Sequence, residues 1–162
     1  MNPTYTVSRT ARIEAPADRI YDIIRDYHHG HPSILPKQFS NMRVEEGGVG
    51  AGTRIGFDVT VLGQTQHFIA LVTEPEPGRV LVEKNVEPTE SVTTFVVDPD
   101  SGGRAANVTI RTELSSRRGL AGRVERYMTA KVLQSMYLAE LNTLAERAAL
   151  TAPSSSSPPP HP

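Results

Sequence analysis

The hydrophobic pattern of this chain changes period once, near residue 115, and that change constrains the fold more than any other feature. Between Phe39 and Leu114, apolar residues recur at every second position in short runs divided by glycine and proline. From Gly119 or Leu120 to about Ala149 there is no proline, Gly122 is the one interior glycine, and apolar residues fall at helical spacing. About 30 helical residues reach about 45 Å, longer than most globular helices. Strands in succession, followed by one long helix, describe an α+β chain with its helices segregated from its strands.

The strand signals are specific. Ile55, Phe57, Val59 and Val61 alternate with Arg54, Gly56, Asp58 and Thr60. Leu62-Gly63-Gln64 then reads as a tight turn, and Phe68–Thr73 as the next strand, stopped by Glu74-Pro75-Glu76-Pro77-Gly78. Met42 and Val44 mark a strand before the glycine-rich turn 46–52. Val80–Glu83, Val92–Val97 and Ala106–Leu114 complete six consecutive strands, whose short connections imply antiparallel pairing. Tyr5–Ile13 forms a seventh strand at the start. Ala15-Pro16-Ala17-Asp18 breaks it and opens a helix bearing Ile20, Ile23 and Ile24. After the break His28-His29-Gly30-His31-Pro32, residues 33–36 allow at most one short helical turn. Ser115 or Ser116 is placed to cap the long helix.

Composition sets the remaining bounds. The 162 residues include no cysteine, which excludes a disulfide scaffold, a zinc ribbon, a thiolate cluster and a cysteine nucleophile. Seventeen basic residues against 18 acidic ones exclude a globally basic nucleic-acid binder. No apolar run approaches the roughly 18 residues of a membrane span. The start lacks the apolar stretch of a signal peptide, so a cytoplasmic protein is expected. Residues 1–150 read as one domain, and the Ser/Pro-rich residues 151–162 as a disordered tail.

The residues Ile13-Glu14-Ala15-Pro16-Ala17-Asp18-Arg19-Ile20-Tyr21, Val44–Gly52, Val72–Arg79 and the Leu138, Leu141, Leu144 pattern of the last helix resemble the START-like, or SRPBCC and Bet v 1-like, superfamily. The nearest group is the bacterial polyketide cyclase/dehydrase and lipid-transport proteins. The likeness spans roughly residues 4–149. It implies a helix-grip fold: a curved seven-stranded antiparallel sheet wrapped on a long C-terminal helix, with two short helices after strand 1. It also implies a cavity between sheet and helix that takes apolar ligands. The same fold carries lipid transfer, hormone sensing and aromatic cyclisation, so function does not follow from it directly.

Strand parity and helical spacing nominate the residues facing that cavity. A turn at Leu62-Gly63 pairs Phe57 with Phe68, and one at Gly63-Gln64 pairs it with Ala70; in both cases Phe57, Val59, Gln66, Phe68, Ala70 and Val72 share a face. Ile69 and Leu71 then fall outside. Phe95 and Ile110 belong to the inner face of the later strands. On the long helix Leu120, Val124, Tyr127, Leu138, Leu141 and Ala145 form one stripe, broadened by Ala130, Tyr137, Leu144 and Ala148, with Glu140 away from its centre. Gln134 is polar inside that stripe and needs a protein partner, a water or a ligand. The candidate ligand-binding residues are therefore Tyr27, Phe57, Val59, Phe68, Ala70, Phe95, Ile110, Tyr127, Gln134 and Leu138.

Other chemistry is weakly marked. His28, His29 and His31 cluster without a convergent further ligand, and read as loop residues near a pocket entrance rather than a metal site. Glu74 and Glu76 read as solvated turn residues. Arg111, Arg117, Arg118, Arg123, Arg126 and Lys131 read as a solvated basic face. No nucleophile elbow or phosphate loop is present. The expectation is a binder of a small hydrophobic or amphipathic molecule (a lipid, polyketide or aromatic metabolite) that needs no cofactor or metal and no nucleic acid, as a monomer or weak homodimer. A cyclase/dehydrase-type enzyme and a cavity-poor interaction module are the alternatives.

Overall fold

Leu62-Gly63 closes the hairpin with both backbones in the left-handed region, at φ 51° and 76°, the two-residue turn that suits the twist of paired strands. It sets Phe57 opposite Phe68 and Val59 opposite Gln66. In the computed structural model, which describes residues 2–150, this hairpin belongs to a curved seven-stranded antiparallel sheet. The expected disordered segment 151–162 lies outside the described residues.

The elements in chain order are β1 (Thr4–Ile13), α1 (Ala17–Arg25), α2 (Gly30–Ile34), β2 (Phe39–Glu46), β3 (Arg54–Val61), β4 (Gln64–Glu76), β5 (Val80–Glu87), β6 (Ser91–Pro99), β7 (Ala106–Ser115) and α3 (Gly119–Leu150). The sheet order is β1-β7-β6-β5-β4-β3-β2. Each strand from β2 to β7 pairs with its predecessor or successor, and β1 closes against β7 from Thr4–Ser115 to Ile13–Ala106. The helix α3 lies along β1 and meets α1 and α2. The core is built from Ile13, Ile20, Ile24, Leu81, Val97, Val108, Leu141 and Leu144. No described helix is long and apolar enough to cross a membrane.

The glycine-rich turn 46–52 is anchored to the end of α1. Gly50 donates to the Arg25 carbonyl at 2.8 Å, and Tyr27 to the Gly48 carbonyl at 2.9 Å. Glu74 ties this junction to β4: it accepts from Tyr21 at 2.9 Å, from Arg25 Nε at 3.1 Å and from the Ala51 N–H at 2.9 Å. Its side chain is only 6% exposed, so the expectation of a solvated carboxylate holds for Glu76 but not for Glu74. Burial opposes its ionisation, yet Arg25, the Ala51 amide and Tyr21 outweigh that and hold its carboxyl below the usual range. Gly50 has φ 64°, and a Cβ there would lie 2.3 Å from the Glu74 carboxylate.

Four other expectations are corrected. The short helix begins at Gly30 and takes in His31 and Pro32, because a missing Cβ at Gly30 lets it approach the Ile23 carbonyl. Ser116 lies outside α3 and does not cap it; its amide donates to the Pro3 carbonyl instead. Ile69 is buried although it points to the outer face, where the Arg43 guanidinium lies over Gly56, the residue opposite Ile69. Finally, α3 turns to the core only the edge of the expected stripe that carries Tyr137, Leu141, Leu144 and Ala148. Met136, Tyr137, Glu140, Leu141, Leu144 and Ala148 are buried, while Leu120, Val124, Tyr127 and Leu138 are exposed. Apolar residues surround more than half of this helix, so spacing alone does not fix which edge of the stripe meets the sheet.

Candidate ligand-binding site

Between the sheet and the middle of α3 lies a cavity of about 430 Å³. Alternation along the strands builds its walls. Phe57, Val59 and Phe68 line it from the β3–β4 hairpin, and Phe95 and Ile110 from β6 and β7. The Phe57 and Phe68 rings stack at 5.5 Å with 14° between planes. Met128, Val132, Leu133 and Met136 close the helix side, and Leu62 overhangs the mouth.

The inner-facing positions of β5, β6 and β7 change from apolar to polar along their length. Leu81 gives way to Glu83 and Asn85, Phe95 to Thr93, and Ile110 to Thr112. Thr93 and Thr112 are register partners whose hydroxyls bond at 2.8 Å. The Tyr137 hydroxyl donates to Thr112. Asn85 donates to Ser91 at 2.9 Å. One wall of an apolar cavity thus carries a band of placed polar groups, the usual construction of a small-molecule site.

Four ionisable side chains converge beside that band. Tyr27 is fully buried, donates to Glu83 Oε1 at 2.5 Å and stacks on His31 at 4.6 Å. Burial, then the Glu83 charge, push the Tyr27 phenol well above its usual range, so it remains a donor. His31 Nδ1 lies 2.7 Å from the Ile24 carbonyl, which can only accept, so this nitrogen carries a proton. His31 Nε2 faces Glu83 Oε1 at 3.4 Å. Glu140 enters from α3, is 4% exposed, and its Oε1 has no partner. Burial, reinforced by the Glu83 charge, pushes its carboxyl up to about 8. Tyr137 is likewise pushed up to about 12, chiefly by burial.

The structure brings together Phe57, Val59, Phe68, Phe95 and Ile110 of the predicted residues as cavity lining. Tyr27 stands just behind the wall, bonded to Glu83 and stacked on His31. Ala70 is buried in the core without reaching the cavity. Three predicted residues lie elsewhere, because α3 turns only one edge of the expected stripe to the core. Tyr127 is 60% exposed, with the Lys131 ammonium 5.1 Å from its ring centroid. Leu138 is 40% exposed. Gln134 donates to the Ser8 carbonyl at 2.7 Å, which supplies the protein partner it needs. His31 is buried in the site, whereas His28 and His29 are exposed, so the histidines do not act as one cluster.

Two ionisable residues of the candidate site escaped the sequence reading. Glu83 follows Leu81 at strand parity, and Glu140 follows Tyr137 by three and precedes Leu144 by four, so each shares a face with buried neighbours. A carboxylate on an apolar face was the available signal in both cases.

A family model described as polyketide cyclase / dehydrase and lipid transport matches residues 4–149. The chain belongs to that family. Among solved structures, the KanY protein superposes with a TM-score of 0.79 at 22% identity, covering 91% of this chain and 99% of that one. The Zhui aromatase/cyclase from a Streptomyces species gives 0.76 at 17% identity, covering 95% and 99%. Norcoclaurine synthase from Thalictrum flavum, solved with dopamine and hydroxybenzaldehyde, gives 0.72 at 17% identity, covering 94% and 91%. At these identities the likeness shows the fold. No curated protein matches the chain.

Proposed function

We propose that this chain binds one small hydrophobic or amphipathic molecule, of the lipid, polyketide or aromatic-metabolite kind, between the sheet and α3. The observation that carries this reading is Glu140: a buried carboxyl with an unpartnered oxygen, facing a cavity otherwise lined mainly by apolar side chains. A buried polar atom without a partner costs about 1–3 kcal/mol, which a ligand's polar end would recover. Family membership supports the same reading. The chain would do this in the cytoplasm, as a monomer or weak homodimer. Native mass spectrometry of gently purified protein, with organic extraction, tests it. A stoichiometric small molecule of this class is expected; a protein that neither carries one nor takes up any polycyclic or lipid probe overturns it.

A second reading, a cyclase/dehydrase-type enzyme, is favoured by the contrast between two carboxyls in one cavity. Glu140, held protonated near neutral pH, is suited to donate a proton to a carbonyl or departing hydroxyl. Glu83 is suited to accept one from a carbon beside a carbonyl. Turnover of a poly-β-ketone or aldol-type substrate, lost in both Glu140→Gln and Glu83→Gln, is required; absence of turnover with a bound substrate removes this reading and leaves the first.

A further inference from the structure

The charges around the cavity narrow the ligand further, an argument that rests on the binding reading above. Among the described residues no lysine or arginine lines the cavity; its ionisable groups there are His31, Glu83, Tyr137 and Glu140. His31 Nδ1 donates to the Ile24 carbonyl, and its Nε2 faces Glu83 at 3.4 Å. Glu83 Oε1 already accepts from Tyr27. The polar groups of the band bond one another, Asn85 to Ser91, Thr93 to Thr112 and Tyr137 to Thr112, so the ionisable group left for a ligand is the carboxyl of Glu140, whose Oε1 has no partner. A ligand's polar end therefore meets a carboxyl oxygen and no uncommitted cation.

We propose that the cavity takes an amphiphile whose polar end is a protonated amine, its nitrogen against Glu140 and its aromatic or apolar body against Phe57 and Phe68. An anionic end would face two carboxyl groups without a counter-ion in a site that screens little, an expensive arrangement. A neutral hydroxyl satisfies Glu140 Oε1 with one hydrogen bond and nothing more. An ammonium supplies the same hydrogen bond and also the positive charge that lets Glu140 ionise. Binding then proceeds with balance: the Glu140 O–H loses its proton to solvent, and an N–H···O contact between opposite charges replaces it. The groups facing Glu140 are Glu83 from β5, Tyr27 and His31 from the α1–α2 segment, and Tyr137 from α3 itself. Tyr27 and Tyr137 stay un-ionised throughout the relevant range, because burial holds both phenols high.

The test uses three probes of one shape: naphthylethylamine, naphthylethanol and naphthylacetate. The protein has no tryptophan, so naphthalene emission is read without indole background. The amine is expected to bind about tenfold tighter than the alcohol near pH 8, and naphthylacetate at least about tenfold weaker than the alcohol. The advantage of the amine is expected to shrink toward about pH 6, where Glu140 must give up its proton to bind it. Calorimetry in buffers of different ionisation heat is expected to register proton release with the amine and none with the alcohol. In Glu140→Gln, with its fold checked by circular dichroism, the preference for the amine over the alcohol and its pH dependence are expected to disappear. An alcohol that binds as well as the amine, or an acetate that binds best, overturns the proposal and leaves the cavity-binding reading standing. Failure of all three probes to bind the folded protein overturns both.

Discussion

Glu83 on β5 and Glu140 on α3 point carboxyl groups into one cavity, and they are not equivalent: Glu83 accepts from Tyr27 and faces His31, whereas Glu140 Oε1 has no partner. One carboxyl is thereby given a hydrogen-bond donor, and the other is left in surroundings that keep it neutral.

That contrast fixes a pH dependence of stability. The Glu140 carboxyl is raised to about 8 in the folded chain and returns to an ordinary carboxylate value, roughly 4, on unfolding. The folded state then holds a proton that the unfolded state has released. The stabilising contribution is fully present below about pH 4 and is lost as pH rises through about 8, a total of several kcal/mol. Glu140→Gln removes the titration, so its melting temperature relative to the parent is expected to rise between about pH 5 and pH 8. An unchanged difference across that range would show that Glu140 is not the titrating group.

Tyr27→Phe keeps the ring that stacks on His31 and deletes the hydroxyl that donates to Glu83. A loss of about 1–3 kcal/mol in urea denaturation is expected, as for other hydrogen bonds to a charged group. A cost near zero would mean that water replaces the phenol at Glu83.

Gly50 and Gly52 separate steric from conformational effects within one turn. Both have positive φ, but a Cβ at Gly50 meets Glu74 and Arg25, while one at Gly52 meets nothing within 4 Å. Gly52→Ala is expected to cost about 1 kcal/mol through backbone strain alone. Gly50→Ala is expected to cost at least about 1–2 kcal/mol more, since it also pushes apart the Arg25–Glu74 contact. Equal losses in chemical denaturation would show that Glu74 yields freely.

Leu62 is 90% exposed at the hairpin tip with φ 51°, a conformation that suits asparagine or glycine. Leu62→Asn creates the preferred residue pair for this turn and is expected to raise stability by about 1 kcal/mol. Because Leu62 also overhangs the cavity mouth, faster ligand exchange in stopped-flow fluorescence is expected alongside the stability gain.

The fold was legible because its signals are redundant. Each strand combines alternation with a turn of glycine or proline at its end, and the hairpin parity that pairs Phe57 with Phe68 survives either turn placement. The cavity walls on the sheet followed from that parity. The helix wall did not, because residues such as Tyr127 and Leu138 satisfy an apolar stripe equally well on a face that meets solvent. Glu140 falls away from the centre of that stripe, yet its spacing from Tyr137 and Leu144 puts it among buried neighbours. His31 was hidden by its neighbours, since only the short helix beginning at Gly30 separates it from the exposed His28 and His29.

The strand β4 joins two regions of opposite character. At its end, Glu74 knots α1 and the glycine turn to the sheet; at its start, beside Leu62, it borders the open mouth. Firmness and access are therefore housed some ten residues apart on a single strand, in side chains that do not touch. A lineage of such chains can remodel its doorway for new guests without loosening its hinge-side masonry, and selection on ligand traffic need not compete with selection on durability.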